Sequence, residues 1–320
     1  VNPNFAQAYN NLGNLLKDLG QTDESIKNYQ KAIEINPNFA HAYNNLGNAF
    51  KDLEKLKEAV SHYEKAIEEN PNFSEAHNNL GNVFKDLGEL DNAINSYQKA
   101  ALLDNTQYES YYNLGVVFIQ LKRFNKAIES LQIAIEINPN FAQSYNNLGS
   151  ALMSQGRLKE SIKYFKKALD VDAEYVYAHN NLGIAFTDLG QLKAGAKSIE
   201  RAIEIDPDFA EAHNSLGNIF KKFKKRDKAL ICDERAYEIK PDMDFVLGSV
   251  LNSKMHLCIW GELSSQIEDL VRRVDNNEKT IDPFNQLGLI DDPSLQRKTT
   301  EIRMNSAHPK SHILSKINPY

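Results

Sequence analysis

Apolar and polar residues alternate along this chain with two periods, one nested in the other. The short period is helical. Large apolar residues recur three and four places apart over stretches of about a dozen residues, as at Tyr9, Leu12 and Leu16, while Gln7, Asn11, Asn14 and Asp18 occupy the opposite face. The long period is 34 residues: Asn-Pro-Asn-Phe-Ala at 2–6 returns at 36–40. From Ala6 to Met243 this spacing holds without insertion and marks seven repeats, 6–39, 40–73, 74–107, 108–141, 142–175, 176–209 and 210–243. Val1 to Phe5 match the end of a repeat, so an upstream repeat is expected. Each repeat reads as two amphipathic helices, and such pairs bury their apolar faces only by stacking on their neighbours.

Positions within a repeat are numbered 1 to 34. Position 8 is Gly in all seven repeats, from Gly13 to Gly217, and position 27 is Ala in all seven, from Ala32 to Ala236. Glycine inside a helix costs about 1 kcal/mol relative to alanine, so its recurrence predicts the close approach of a second helix. Position 20 is small throughout (Ser25, Ala59, Ala93, Ala127, Ser161, Gly195, Ala229) and position 7 is always Leu. Positions 4, 11 and 24 are mostly large and apolar or aromatic, with His77, His179 and His213 at position 4 expected as core spacers. Pro at position 32 of five repeats ends the second helix; Asn105 and Ala173 stand in its place elsewhere, and Asp233 replaces the aromatic at position 24. This set of offsets resembles the tetratricopeptide-repeat family. The resemblance implies an all-α fold, a right-handed superhelical solenoid of helix pairs ending in an irregular helical cap.

A helical residue advances about 100°, so positions 2, 6, 9 and 13 of the first helix share one face, opposite positions 4, 7 and 11. On that free face position 6 reads Asn11, Asn45, Asn79, Asn113, Asn147 and Asn181 before Ser215 breaks the series. Position 13 reads Asp18, Asp52, Asp86, Gln120, Ser154, Asp188 and Lys222. Stacking aligns these into ladders. A carboxamide offers one acceptor and two donors, enough to pair with both the C=O and the N–H of a peptide backbone. First helices about 10 Å apart and a strand rising about 3.3 Å per residue bring a rung to about every third residue of an extended guest. Six rungs would hold a disordered protein segment of roughly 15 residues, largely without regard to its side chains. The expected peptide-binding residues are these six asparagines with Asp18, Asp52, Asp86 and Asp188. In the competing reading the asparagines cap turns or brace neighbouring repeats. It weighs more for the adjacent series at position 5: Asn10, Asn44, Asn78, Asn146, Asn180 and Asn214.

Composition narrows the partners. Across 320 residues the net charge is −6, which argues against a nucleic-acid binder, since such proteins present a basic face that displaces counterions from phosphates. The one basic cluster, Lys221, Lys222, Lys224, Lys225 and Arg226, straddles a predicted helix end. It reads as a solvated terminus favoured by the helix dipole or as a patch for an acidic partner. Two cysteines, Cys232 and Cys258, are too few for a disulfide framework, and a reducing, cytoplasmic setting is the expectation. No run approaches the roughly 18 to 20 apolar residues of a membrane span, so neither nucleic acid nor membrane is an expected partner. Self-association through the convex face of the repeats is a further expectation. Phosphate loops and the HExxH and GxSxG motifs are absent from the sequence, and no catalytic residue is assigned. His308 and His312 have the spacing of a helical metal pair, but Pro309 intervenes and no third ligand accompanies them, so no metal is expected.

After Met243 the period fails. Residues 244–260 read as one more apolar helix, and 262–274 place Ile267, Leu270, Val271 and Val274 on one side of another. Asp292 before Pro293 marks a further helix start. Residues 244–307 are expected to close the open end of the stack, with 308–320 a polar tail. The phrases VLNSKMHLCIWGELSSQIEDL and DPFNQLGLIDDPSLQRK resemble the connector that joins repeats to catalytic lobes in the family 41 glycosyltransferases, the O-linked N-acetylglucosamine transferases. That group also carries Asn at repeat position 6 and often Lys-Asp at positions 12 and 13, as in Lys17-Asp18, Lys51-Asp52 and Lys85-Asp86. The resemblance implies a parent enzyme that moves N-acetylglucosamine from UDP-GlcNAc to Ser or Thr hydroxyls, with the repeats feeding it acceptor protein. Donor site and catalytic lobes would lie beyond Tyr320, and no cofactor is expected within the chain itself. A plain adaptor that assembles other proteins is the alternative. A clamp for a terminal carboxylate would need Lys or Arg at positions 2, 5 and 6, which hold mainly Asn, Gln, Glu, His and Tyr.

Overall fold

The computed structural model describes residues 5–261, 263–283 and 289–307; His308, His312 and the rest of the tail lie outside the described residues. Among the described residues the fold is helical throughout, without a strand. The chain divides into two compact halves, Val1–Val171 and Asp172–Tyr320. The first holds five hairpins: α1 (Ala6–Asp18) with α2 (Thr22–Ile35), α3 (Ala40–Asp52) with α4 (Leu56–Glu69), α5 (Ser74–Asp86) with α6 (Leu90–Leu103), α7 (Tyr108–Gln120) with α8 (Phe124–Ile137), and α9 (Ala142–Ser154) with α10 (Leu158–Val171). The second holds α11 (Val176–Asp188) with α12 (Leu192–Ile205) and α13 (Ala210–Lys222) with α14 (Arg226–Ile239), followed by α15 (Val246–His256), α16 (Leu263–Asp275) and α17 (Pro293–Ala307).

Backbone chemistry explains the joints. Between repeats, an Asn or Asp at position 31 folds its side chain onto the amide two residues ahead: Asn36, Asn70, Asp104, Asn138, Asp172 and Asp206 each accept from it at 2.9 to 3.3 Å. The turn therefore survives at Asn105 and Ala173, where proline is missing. Within a repeat, the first helix ends on a left-handed residue at position 15. Glycine fills that place four times (Gly20, Gly88, Gly156 and Gly190, φ 74 to 77°), whereas Glu54, Lys122 and Lys224 hold φ of 56 to 59° without its freedom. The amide of that residue reaches back to the carbonyl at position 12, as from Gly20 to Lys17 at 2.9 Å, which satisfies an end carbonyl of the helix.

The core turns on one crossing. A methyl group on Gly13 would lie 2.5 Å from Cε1 of Tyr29, and one on Gly81 2.6 Å from Cε1 of Tyr97, so the ring at position 24 rests directly on the first helix. Tyr29, Tyr63, Tyr97 and Phe165 are fully buried there, as is every Ala at position 27. The histidines at position 4 depart from the core-spacer expectation. They are half-buried, and Nε2 of His77, His179 and His213 donates to the carbonyls of Pro71, Ala173 and Pro207 at 3.2, 3.0 and 2.9 Å. An imidazole carries a donor that an alkyl spacer lacks, and here it latches the preceding turn.

In the second half α15 covers α14, and Leu247, Leu251, Leu263, Leu270, Val274, Ile281 and Leu295 form a shared core with α16 and α17. Helix α15 is shorter than its apolar run suggests. Cys258 adopts φ 58°, which ends the helical path and leaves Ile259 and Trp260 exposed. Asp292 caps α17, accepting from the amides of Ser294 and Leu295 at 2.8 and 3.2 Å.

Candidate functional site

The free faces of the first helices carry the asparagines, and most position-6 amides are already engaged. Asn45 Nδ2 donates to Oδ1 of Asn10 and Asn14 at 2.9 and 3.0 Å. Asn113 Nδ2 donates to Oδ1 of Asn78 and Asn82 at 3.3 and 3.2 Å. Asn79 reaches Asn44 Oδ1 at 3.1 Å, and Asn147 reaches the Tyr112 hydroxyl at 3.2 Å. Each of these amides ties its repeat to the preceding one. This corrects the expectation that every rung presents donor and acceptor alike, because two acceptors take both amide hydrogens of Asn45 and Asn113. What remains is the oxygen. Among the described residues no donor reaches Oδ1 of Asn45, Asn79 or Asn113, and all three side chains are half-buried on the free face. Asn11 differs, since Gln7 Nε2 donates to its Oδ1 at 2.9 Å within the same helix. In the second half Asn181 is half-buried at the same position of α11, and Ser215 replaces it in α13.

Sequence reasoning placed position 9, Asn in repeats one, two, three and seven, on the free face without counting it among the binding residues. Tyr29, Tyr63 and Tyr97 cross beneath the glycine and donate to Oδ1 of Asn14, Asn48 and Asn82 at 2.9, 2.6 and 2.8 Å. Burial chiefly pushes these phenols up, Tyr29 to about 12 with help from Asp18 and Asp52, so each stays a donor at neutral pH. With its oxygen held, each carboxamide keeps Nδ2 for other use, and no described residue accepts from it. The face therefore carries fixed acceptors at position 6 of repeats two to four and fixed donors at position 9 of repeats one to three. A partial signal for this pairing exists in the sequence: Asn at position 9 meets Tyr at position 24 in repeats one to three, and both differ in repeats four to six (Val116 with Leu131, Ser150 with Phe165, Ile184 with Ile199), whereas repeat seven keeps Asn218 opposite Asp233.

The family of the Cilia and flagella-associated protein 70 C-terminal domain, a tetratricopeptide-repeat domain, matches residues 4–230. The chain belongs to this tetratricopeptide family. No curated protein matches it. Among solved structures, YrrB, described as a tetratricopeptide protein with an unusual peptide-binding site, is 27% identical, with a TM-score of 0.50, over 57% of this chain and 95% of its own. A tetratricopeptide protein of Parabacteroides merdae matches 77% of this chain and 97% of its own at 16% identity and a TM-score of 0.62. The APC/C hetero-tetramer Cut9-Hcn1 contributes a match to 74% of this chain at 20% identity and a TM-score of 0.63; this chain spans 47% of that one. These last two likenesses concern the fold.

Along the tetratricopeptide face the acidic series is exposed. Asp52 is engaged by Lys17 of the preceding repeat at 3.0 Å, an exposed pair of a kind that contributes at most about 1 kcal/mol. Asp18, Asp86 and Asp188 enter no ion pair among the described residues. Further along the first half, the face of repeats four and five turns neutral, with Val116, Ile119 and Gln120 on α7 and Ser150, Met153 and Ser154 on α9.

Proposed function

We propose that the chain is a protein-binding tetratricopeptide scaffold that holds an extended or disordered polypeptide by its main chain along the first helices of its repeats. The observation that carries this reading is the division of labour between two carboxamide series. Position 6 offers the oxygens of Asn45, Asn79 and Asn113, and position 9 offers the amides of Asn14, Asn48 and Asn82. A strand presents N–H and C=O in alternation, so a surface with both complements fixed in place needs no particular guest side chains. Because hydrogen bonds already orient these groups, little rotamer freedom is lost on binding. The peptide-binding site of YrrB supports the same use.

Changing Asn48→Asp together with Asn82→Asp keeps an oxygen for Tyr63 and Tyr97 and deletes the amide donors. Titration with an unstructured 15-residue Gly/Ser/Ala peptide should show at least about a tenfold loss of affinity at an unchanged melting temperature, about 1 kcal/mol per hydrogen bond. Unchanged affinity contradicts the reading.

A finer form of the proposal makes this face the acceptor-docking arm of a protein O-N-acetylglucosamine transferase that takes UDP-GlcNAc as donor. Its support is the connector-like sequence from Val250 to Leu270 and the Lys-Asp series of repeats one to three. A cytoplasmic adaptor that assembles other proteins fits the same face. The reading frame after Tyr320 separates the two: sugar-nucleotide-binding lobes there favour the enzyme arm, and an unrelated domain removes it.

A further inference from the structure

In the second half of the chain the ladder is interrupted, and the interruption makes a cavity. Repeats one to three set Asn at position 9 over Tyr at position 24, whereas repeat six sets Ile184 over Ile199. Earlier repeats also send a carboxamide back across the helix boundary from position 6, where repeat seven has only Ser215. Thr187 turns its hydroxyl onto the Gly183 carbonyl at 2.8 Å and so does not bridge either. The result is a cavity of about 610 Å³ between α11 and α13. Buried Ile199 and half-buried Ile184 form its floor, Ser215 and Asn218 line it, and exposed Asp188 and Lys222 stand at its rim. Lys221, also in the lining, is committed inward, with Nζ 2.7 Å from Oδ2 of fully buried Asp233. Asp188 and Lys222 enter no ion pair among the described residues.

We infer that this cavity is a side-chain pocket for a protein segment that carries one large apolar residue between a basic and an acidic one. The inference rests on the main-chain reading above and adds side-chain selection to it. An aliphatic floor, with the charge of Lys221 in the lining already neutralised by Asp233, takes an apolar side chain, and a cavity of this volume lies in the range of specific ligand pockets, about 300 to 1,000 Å³. The rim sets the flanks. Asp188 and Lys222 occupy the same position of successive first helices, about 10 Å apart, which about three residues of extended chain span. A basic guest residue then meets Asp188 while an acidic one meets Lys222, and this opposite-sign rim replaces the like-signed Asp52 and Asp86 of α3 and α5.

Fluorescence anisotropy of the full chain with four labelled 15-residue peptides tests this. All share a Gly/Ser/Ala background. Two carry Lys-Leu-Ala-Glu or Glu-Leu-Ala-Lys at the centre, and two have Ser in place of that Leu. One charge order should bind more tightly than the other, and its Leu should contribute about tenfold over Ser. Ser215→Phe fills the cavity from its own wall and should erase the leucine preference. Lys222→Glu, on the exposed rim, should remove the preference between charge orders. Equal binding of Leu and Ser peptides to the natural chain overturns the pocket and leaves the groove reading standing. So does a leucine preference that survives filling, or a charge order indifferent to Lys222→Glu, a variant whose exposed position keeps the test valid even if the filled protein folds poorly. Binding by none of the four peptides removes the groove reading and the pocket together.

Discussion

The hydroxyl of Tyr29 passes beneath Gly13 and donates to Oδ1 of Asn14 at 2.9 Å, so a fully buried ring on α2 orients a carboxamide on the open face of α1. The packing that builds the hairpin is thereby the packing that aims a surface group. Tyr97 and Asn82 repeat the relationship at 2.8 Å. Tyr97→Phe should keep the ring in place, as Phe165 does in repeat five, and remove only the donor. Urea unfolding should register a loss of about 1 kcal/mol, and affinity for an unstructured peptide should fall because Asn82 is no longer held. A Tyr97→Phe protein that binds peptide as well as the natural chain would separate core from face.

Glu54 holds φ 58° at a position where four other repeats place glycine. A left-handed conformation costs an L-residue about 1 to 2 kcal/mol, partly offset by the chain entropy that glycine adds to the unfolded state. Glu54→Gly should therefore raise stability by up to about 1 kcal/mol, seen as a higher melting temperature in calorimetry. A lower one would mean that Glu54 makes contacts worth more than the backbone strain.

Asp233 sits where other repeats keep a large apolar or aromatic side chain, and burial pushes its carboxyl above the usual carboxylate range, with Lys221 and Ser253 offsetting part of that. Removing the cation by Lys221→Met should cost about 3 to 5 kcal/mol, and adding Asp233→Leu should recover most of it. The sign with pH follows from the raised value: the folded state favours the neutral carboxyl, so the penalty in Lys221→Met is greatest at neutral pH and shrinks as acid protonates Asp233. Equal penalties at both pH values would contradict a buried carboxylate.

His62 stacks on Phe50, ring centroids 5.1 Å apart and planes 12° from parallel. Burial is the main cause holding its pKa below the ordinary 6.5, with Glu58 pulling the other way. A depressed histidine favours the neutral ring in the fold, so its contribution is complete above the unfolded value and is lost as pH falls through the folded one. His62→Phe should flatten the decline in melting temperature between about pH 7 and about pH 5.

The helix pairs were legible because each crossing demands its own residue type, glycine under a ring at Gly81 and alanine between helices at Ala100, whereas the turn was read from proline alone and its Asx fold, as at Asp104, emerged from the structure. The asparagine face was legible as a face but not as a network. Asn44, Asn45 and Asn48 have one chemistry, and nothing local says that the amide of Asn45 will cross to Asn10 and Asn14 while Asn48 takes a hydroxyl from Tyr63. That depends on the offset between neighbouring helices. The pairing of Asn at position 9 with Tyr at position 24 in repeats one to three was the one sequence trace of it. The shortening of α15 was hidden because the residue that ends it, Cys258, has no intrinsic preference for a left-handed backbone.

Main-chain capture is tested most directly by calorimetric titration of the full chain with three 15-residue Gly/Ser/Ala peptides of one composition: a parent, its scramble, and a version N-methylated at every third residue. Capture through Asn oxygens and amides predicts a scramble within about threefold of the parent and an N-methylated peptide at least about tenfold weaker, since the lost N–H groups each contribute about 1 kcal/mol. An N-methylated peptide that binds like its parent, or a scramble that does not bind, would contradict it.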